Sequence, residues 1–368
     1  MEEISVGTLV ASVGFLVGII FGATAQKTDF CTMGGISDTI FMGDTRRLRA
    51  WFLAIAIAMI ATQSLHTAGL IDIYKSIYLT PNFGWAGAII GGLMFGYGMT
   101  FAGGCANKNL VRIGGGNLKS IVVVIIMGIF AYMTLRGLVG LARVELETLT
   151  NVDLQDAVGV SSQGMADLLG AALGMDTKTV RWAVVAAFAG GLLLWCFKSK
   201  DFCASPHHIA SGIIIGLLVP VGWAITGILG ADEFDPTPLF SFTFVSPAGE
   251  SVQYLMTFTG ATINFGIATV GGVIFGSFLM AKATKSFHIE AFSGADDMKR
   301  QLFGSVLMGI GGVMALGCTV GQGITGMSTL ALGSLVALLS ILLGAAIGLK
   351  YQEEESLVGA IKGLISGD

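Results

Sequence analysis

This sequence is short of charge. Only 12% of its 368 residues are Asp, Glu, Lys or Arg, against about 25% in an ordinary soluble domain. With 54% hydrophobic residues and a mean hydropathy of +0.80, the chain could not be kept in water as a globular domain. Its five cysteines never stand at Cys-x-x-Cys spacing, so a dithiol couple and a zinc knuckle both lack their signature. The net charge of -4 gives nucleic acid no basic surface to bind. Residues Gly114-Gly115-Gly116-Asn117-Leu118-Lys119-Ser120 lack the glycine that precedes the lysine of a phosphate loop. Gly321-Gln322-Gly323-Ile324-Thr325-Gly326 has dinucleotide-fingerprint spacing, but no strand precedes it. No paired axial histidines suggest haem. The sequence therefore points away from an enzyme, and no cofactor is expected.

What it has in abundance is apolar runs of membrane-crossing length. There are nine: Ile4–Ala25, Ala50–Leu70, Trp85–Ala102, Ser120–Leu141, Trp182–Phe197, Ile209–Leu229, Leu255–Ala281, Leu302–Gly317 and Leu330–Leu349. The first follows Met1-Glu2-Glu3 with no basic segment before it, so it reads as a retained helix and not a signal peptide. The expected fold is an all-α integral membrane protein of about nine transmembrane helices plus re-entrant half-helices, in two pseudo-symmetric inverted halves. Residues 1–150 form the first half, 151–180 an acidic outer connector, 181–350 the second half and 351–368 a cytoplasmic tail.

Numbering the spans from an outside N-terminus places fifteen of the 20 Lys and Arg residues on inner segments. Only Lys75, Arg143 and Lys178 fall outside, with Arg136 and Arg181 at span ends. This bias predicts an N-terminus outside the plasma (inner) membrane and a cytoplasmic C-terminus. The outer loops are acidic, with Glu145 through Asp176 in one and Asp232, Glu233, Asp235 and Glu250 in another.

Two spans read as copies of each other. Gly91 to Cys105 aligns without gaps on Gly304 to Cys318, with Gly91/Gly304, Gly96/Gly309, Gly98/Gly311, Ala102/Ala315, Gly104/Gly317 and Cys105/Cys318 identical. By the span count one copy runs inward and the other outward, an inverted repeat of the kind that places a transporter's site at its symmetry interface. A shorter match, Asp29-Phe30-Cys31 with Asp201-Phe202-Cys203, would lie on one side only.

The segments after these helices, Ala106 to Gly116 and Thr319 to Gly326, are too apolar for plain loops and too broken for spans. Phe30 to Phe41 has the same texture. All three read as re-entrant, tolerated at membrane depth because they line a polar path. Cys31, Cys105 and Cys318 each sit in such a break and are the candidate substrate pathway. Gly103, Gly104, Gly317 and Gly321 are the supporting backbone, free to turn and to present N–H groups. Cys196 and Cys203 read as packing residues. Cys203 with His207 and His208 has a weak resemblance to a soft-metal set, but no metal site is expected.

The Phe30-Cys31 pair, the Gly103-Gly104-Cys105 break and Gly317-Cys318-Thr319-Val320-Gly321-Gln322-Gly323 together, in that order, resemble the YeeE/YedE family of thiosulfate permeases. The resemblance runs from about residue 10 to 350. It implies a helical membrane fold with a narrow centre and three pore cysteines, here Cys31, Cys105 and Cys318, that pass thiosulfate inward. It also implies a cytoplasmic sulfur-carrier or rhodanese-like partner. The long acidic segment and Cys203 depart from the pattern. Soft-metal or selenium-compound transport and membrane thiol oxidoreduction remain as alternatives.

The chemistry suits such a substrate. Thiosulfate is a dianion with a soft terminal sulfur, and conduction needs several weak sites and no tight one. Neutral thiols are weak, polarizable donors, and helix N-termini add partial positive charge without a counter-ion. Asp29, Asp38, His288 or Glu290 could carry a coupled proton.

Overall fold

The computed structural model describes residues 5–232 and 237–366. Of the features expected from sequence, residues 1–4 with Ile4 of the first span, Glu233 and Asp235 of the second acidic loop, and residues 367–368 lie outside the described residues.

In chain order the helices are α1 (Val6–Thr28), α2 (Thr32–Met42), α3 (Arg46–Thr67), α4 (Gly92–Phe101), α5 (Ala106–Gly114), α6 (Leu118–Arg136), α7 (Leu138–Thr150), α8 (Leu154–Val158) and α9 (Met165–Leu173). There follow α10 (Thr177–Phe197), α11 (Lys200–Cys203), α12 (Pro206–Ala224), α13 (Val245–Met256), α14 (Phe265–Ala283), α15 (Ala295–Met314), α16 (Leu332–Glu354) and α17 (Leu357–Ser366). Wider π turns, Gly87–Gly91, Ile225–Leu229 and Gly321–Gly326, precede α4, extend α12 and follow α15. Among the described residues a single small sheet pairs β1 (Asn82–Gly84) antiparallel with β2 (Asn151–Asp153), Phe83 opposite Val152.

Among the described residues, eight helical stretches are long and apolar enough to cross a membrane. The chain is an all-α integral membrane protein. The ninth expected span, Leu302–Gly317, falls in α15 up to Met314, and α15's first turns carry Asp296, Asp297, Lys299 and Arg300 and so dilute its apolar character. α15 nonetheless runs through the bundle between α4 and α6. Two other expected spans are divided. Ser120–Leu141 stops at Gly137, where α7 takes over. Leu255–Ala281 starts only at Phe265, because Asn264 caps α14 by accepting from the Ile267 N–H at 2.9 Å.

α1 begins and α16 ends at opposite faces of the bundle, here called the N face and the C face. The Glu145–Asp176 segment lies at the N face and the Lys282–Arg300 segment at the C face.

Glycine contacts determine how the centre packs. α4 and α15 are antiparallel and touch backbone to backbone. A Cβ on Gly91 would stand 2.7 Å from the Gly311 carbonyl oxygen, and one on Gly98 2.8 Å from that of Gly304. Gly311 and Gly304 meet the Gly91 and Gly98 carbonyls in return, at 2.6 and 2.5 Å. Gly91 is the repeat counterpart of Gly304, and Gly98 that of Gly311. Exchanging the two copies therefore maps these contacts onto themselves, as a two-fold axis between the helices requires. Gly96 and Gly309 extend the pattern outward, the first against Ile341 of α16 and the second against Met127 of α6. In lipid such close approach matters, because helix association rests on van der Waals contact and not on expelling water.

A row of thiols between two cavities

α4 and α15 end in the same way. The Gly104 N–H donates to the Met99 carbonyl at 2.9 Å, and the Gly317 N–H to the Gly312 carbonyl at 2.7 Å. Both are the six-to-one bond of a Schellman turn, which needs a left-handed residue just before the donor. In the first copy that residue is Gly103, at φ 72°. In the second it is Leu316, at φ 58°, and not the neighbouring Gly317 to which the sequence assigned the turn. Gly317 answers another need, since a Cβ there would stand 3.1 Å from the Gln322 nitrogen. Gly321 leaves room for Thr243, whose hydroxyl would be 2.5 Å from a Cβ at that position.

The turns deliver each cysteine to the start of a short helical segment. Cys31 and Cys105 are the N-cap residues of α2 and α5, and Cys318 opens the approach to Gly321–Gly326. With 11 and 9 residues, α2 and α5 are far too short to span about 30 Å of hydrocarbon. They are half-helices, as expected for re-entrant segments. In each case the N–H three residues on faces the sulfur: Gly34 to Cys31 at 3.4 Å, Gly321 to Cys318 at 3.4 Å, and Lys108 to Cys105. The N–H groups of Val320 and Phe244 also face Cys318. Sulfur is a weak acceptor, so these helix ends keep donor capacity and partial positive charge that an oxygen cap would absorb.

The three thiols form a series. Cys31 and Cys105 face each other within hydrogen-bonding range, and Cys105 also meets the Thr319 hydroxyl. Thr319 adjoins Cys318, and Cys318 meets Thr243. All three cysteines are buried. The Cys105 thiol donates to Asn107 Oδ1, while Asn109 ties the Gly104 carbonyl at 2.9 Å to Ser120. The buried side-chain oxygens of Thr243, Thr319, Gln322 and Ser334 make no well-aligned hydrogen bond. Such groups are costly unless something else meets them.

A cavity lies beyond each end of the row. At the N face a space of about 630 Å³ reaches Thr243, Leu316, Gln322 and Ser334, and its charged lining is limited to Arg143, Glu147 and Glu250. At the C face a basin of about 380 Å³ is lined by Arg47, Lys108, Arg112 and Lys119, with Asp29 and Glu290 as its carboxylates. Lys108 Nζ pairs with Asp29 Oδ1 at 2.8 Å, and Arg47 pairs with Asp38 at 2.9 Å. At the rim, the hydrogen bond from Lys119 holds the Glu290 carboxyl below its ordinary value.

The sequence missed two parts of this site. Lys108 falls within the re-entrant Ala106–Gly116 stretch and among the inner-segment charges without standing out from either, yet it lies buried near the Cys31/Cys105 pair. Thr243 and Thr319 carried no signal beyond their neighbours. Cys196 and Cys203 stand apart, donating to the carbonyls of Arg49 and Phe197, both at 3.3 Å. His208 Nδ1 is engaged by the Ser205 hydroxyl at 2.7 Å. Among the described residues no three His, Cys, Asp or Glu side chains are grouped to hold a metal.

Two cavities at opposite faces of a helical membrane bundle, separated by a buried row of half-helix ends, define a transporter. The chain belongs to the Sulphur transport family, whose model matches residues 27–347. It is similar to the Thiosulfate transporter TsuA of Escherichia coli, 26% identical over 352 residues, covering 90% of this chain and 91% of that one. It is similar also to the Thiosulfate transporter TsuA of Spirochaeta thermophila, 26% identical over 336 residues, covering 90% and 96%. A shorter match, 30% over 99 residues, is to the Probable transporter YedE of Escherichia coli, covering 26% of this chain and 22% of that one.

Proposed function

We propose that this protein carries thiosulfate, or a closely related sulfur anion, from the N-face cavity past Cys318, Cys105 and Cys31 to the C-face basin. What supports the reading is the series itself: three buried thiols at helix breaks lie between the two cavities. A dianion passing them would meet S–H donors, the Thr243 and Thr319 hydroxyls, and N–H groups with no fixed counter-ion. Each contact is weak, so the anion is stabilised without being trapped. The thiols act as neutral donors, since a thiolate would repel the anion, and no covalent step is needed.

The excess of Lys and Arg on C-face segments makes that face cytoplasmic by the positive-inside rule, with the N-terminus outside. Import then opposes the membrane potential at about 2.3 kcal/mol per charge per 100 mV, and roughly twice that for a dianion. Consumption on the inner side, for instance by a sulfur-carrier or rhodanese-like protein meeting the basin, would keep the flow inward.

The test is uptake of labelled thiosulfate into liposomes holding the purified protein, with sulfate, selenite and copper as competitors. Thiosulfate should enter and sulfate should compete poorly, because it lacks the soft terminal sulfur. Copper uptake in place of thiosulfate, abolished by a thiol-competing chelator, would overturn the reading.

A further inference from the structure

We propose that the C-face basin is itself an anion site, and that Asp29 occupies it on Lys108 until an arriving divalent oxyanion takes its place. This rests on the functional reading above. A fixed lysine on the path would hold a dianion too tightly for release, yet Lys108 lines the basin. It is three residues from Cys105, buried, and near enough to Cys31 to act on it electrostatically. Its ammonium is matched by one carboxylate, Asp29, whose side chain is 69% exposed to the basin while that of Lys108 is 10% exposed. The pair is lopsided: a fixed, enclosed cation and a carboxylate on the water side that can swing away.

The surroundings favour that exchange. Asp29 sits at φ 52°, the left-handed residue between α1 and the Phe30-Cys31 break, so its position is tied to one thiol as Lys108 is to the other. Arg47 donates to the Asp29 carbonyl at 3.1 Å and holds the turn while the side chain moves. Arg112 donates to the Gly103 carbonyl and makes no carboxylate ion pair among the described residues. A dianion leaving Cys31 and Cys105 would therefore find Lys108 and Arg112 together. Return of Asp29 to Lys108 would then expel it from the basin at the C face, by like-charge repulsion and by restoring the pair. The carboxylate makes a strong anion site into one that can be left.

The test compares binding with transport in the full-length protein. Asp29→Asn keeps a residue that tolerates the left-handed turn but removes the competing charge. Labelled thiosulfate should bind this variant at least about tenfold more tightly and enter liposomes more slowly, with Tm near that of wild type. Lys108→Gln should weaken binding about tenfold, and Asp29→Asn/Lys108→Gln should return Kd toward the wild-type value. An unchanged Kd in either single variant would overturn the proposal. Wild-type protein that ignores thiosulfate would instead end the functional reading. In that event sulfate is the probe, and tighter sulfate binding by Asp29→Asn would still support the basin site while unchanged binding would remove it.

Discussion

After α4 and after α15 the chain makes the same turn with the same six-to-one hydrogen bond, yet the residues that follow differ in chemistry. In register, Lys108 of the first copy falls on Gly321 of the second, Asn109 on Gln322, and Arg112 on Thr325. The C-face copy therefore carries two cations where the N-face copy carries a bare backbone N–H and a hydroxyl. Backbone symmetry gives two matching helix ends across one axis. The side-chain asymmetry gives them an order: neutral, weak contacts on one side, and a charge-balanced station on the other. The repeat is kept in the backbone and broken in the side chains, so the two helix ends differ.

The largest effect should come from spoiling the symmetric contact. Gly311→Ala puts a methyl 2.6 Å from the Gly91 carbonyl oxygen and the Phe95 nitrogen, where backbone has to move. Overpacking of this kind costs about 1–3 kcal/mol, and it displaces both helix ends at once. We expect a much reduced yield of folded protein by size-exclusion profile and loss of uptake. Gly190→Ala on α10, with nothing within 4 Å of the new methyl, is the control and should behave as wild type. Equal yields from both variants would show that the α4/α15 contact does not hold the centre.

Next in size is the neutral copy. Thr319→Val removes a buried hydroxyl that stands beside Cys105 and has no well-aligned partner. Folding loses nothing, so Tm should hold or rise slightly, while uptake should fall several-fold. Unchanged uptake would take Thr319 out of the path. Smallest is the turn itself. Leu316→Gly relieves a left-handed leucine and should stabilise by about 1 kcal/mol, and Gly103→Leu should destabilise by a similar amount. Paired Tm measurements check the opposite signs; shifts of the same sign would refute the equivalence of the two turns.

Much of this was legible in the sequence for physical reasons. A membrane span needs only composition and length, and eight of nine expected spans met both criteria. The ninth failed on its charged first turns, although α15 lies where that span was expected. The cysteine breaks were legible because glycine beside an apolar helix end is informative in lipid, where loose backbone is penalised. Three features were not. A left-handed leucine at position 316 looks like any apolar residue. Thr243 reaches Cys318 across 75 residues of chain, which no local pattern encodes. The pairing of Asp29 with Lys108 joins charges that, one by one, look like loop residues.

If neutral thiols pass the anion, Cys105, at the middle of the row, is the residue whose loss matters most. Uptake of labelled thiosulfate should be abolished or nearly so in Cys105→Ala, with expression intact. Cys105→Ser should retain a measurable fraction, because a hydroxyl still donates a hydrogen bond to the anion. Equal loss in both variants would contradict the account, since a soft-metal site or a covalent sulfur transfer needs the sulfur atom itself.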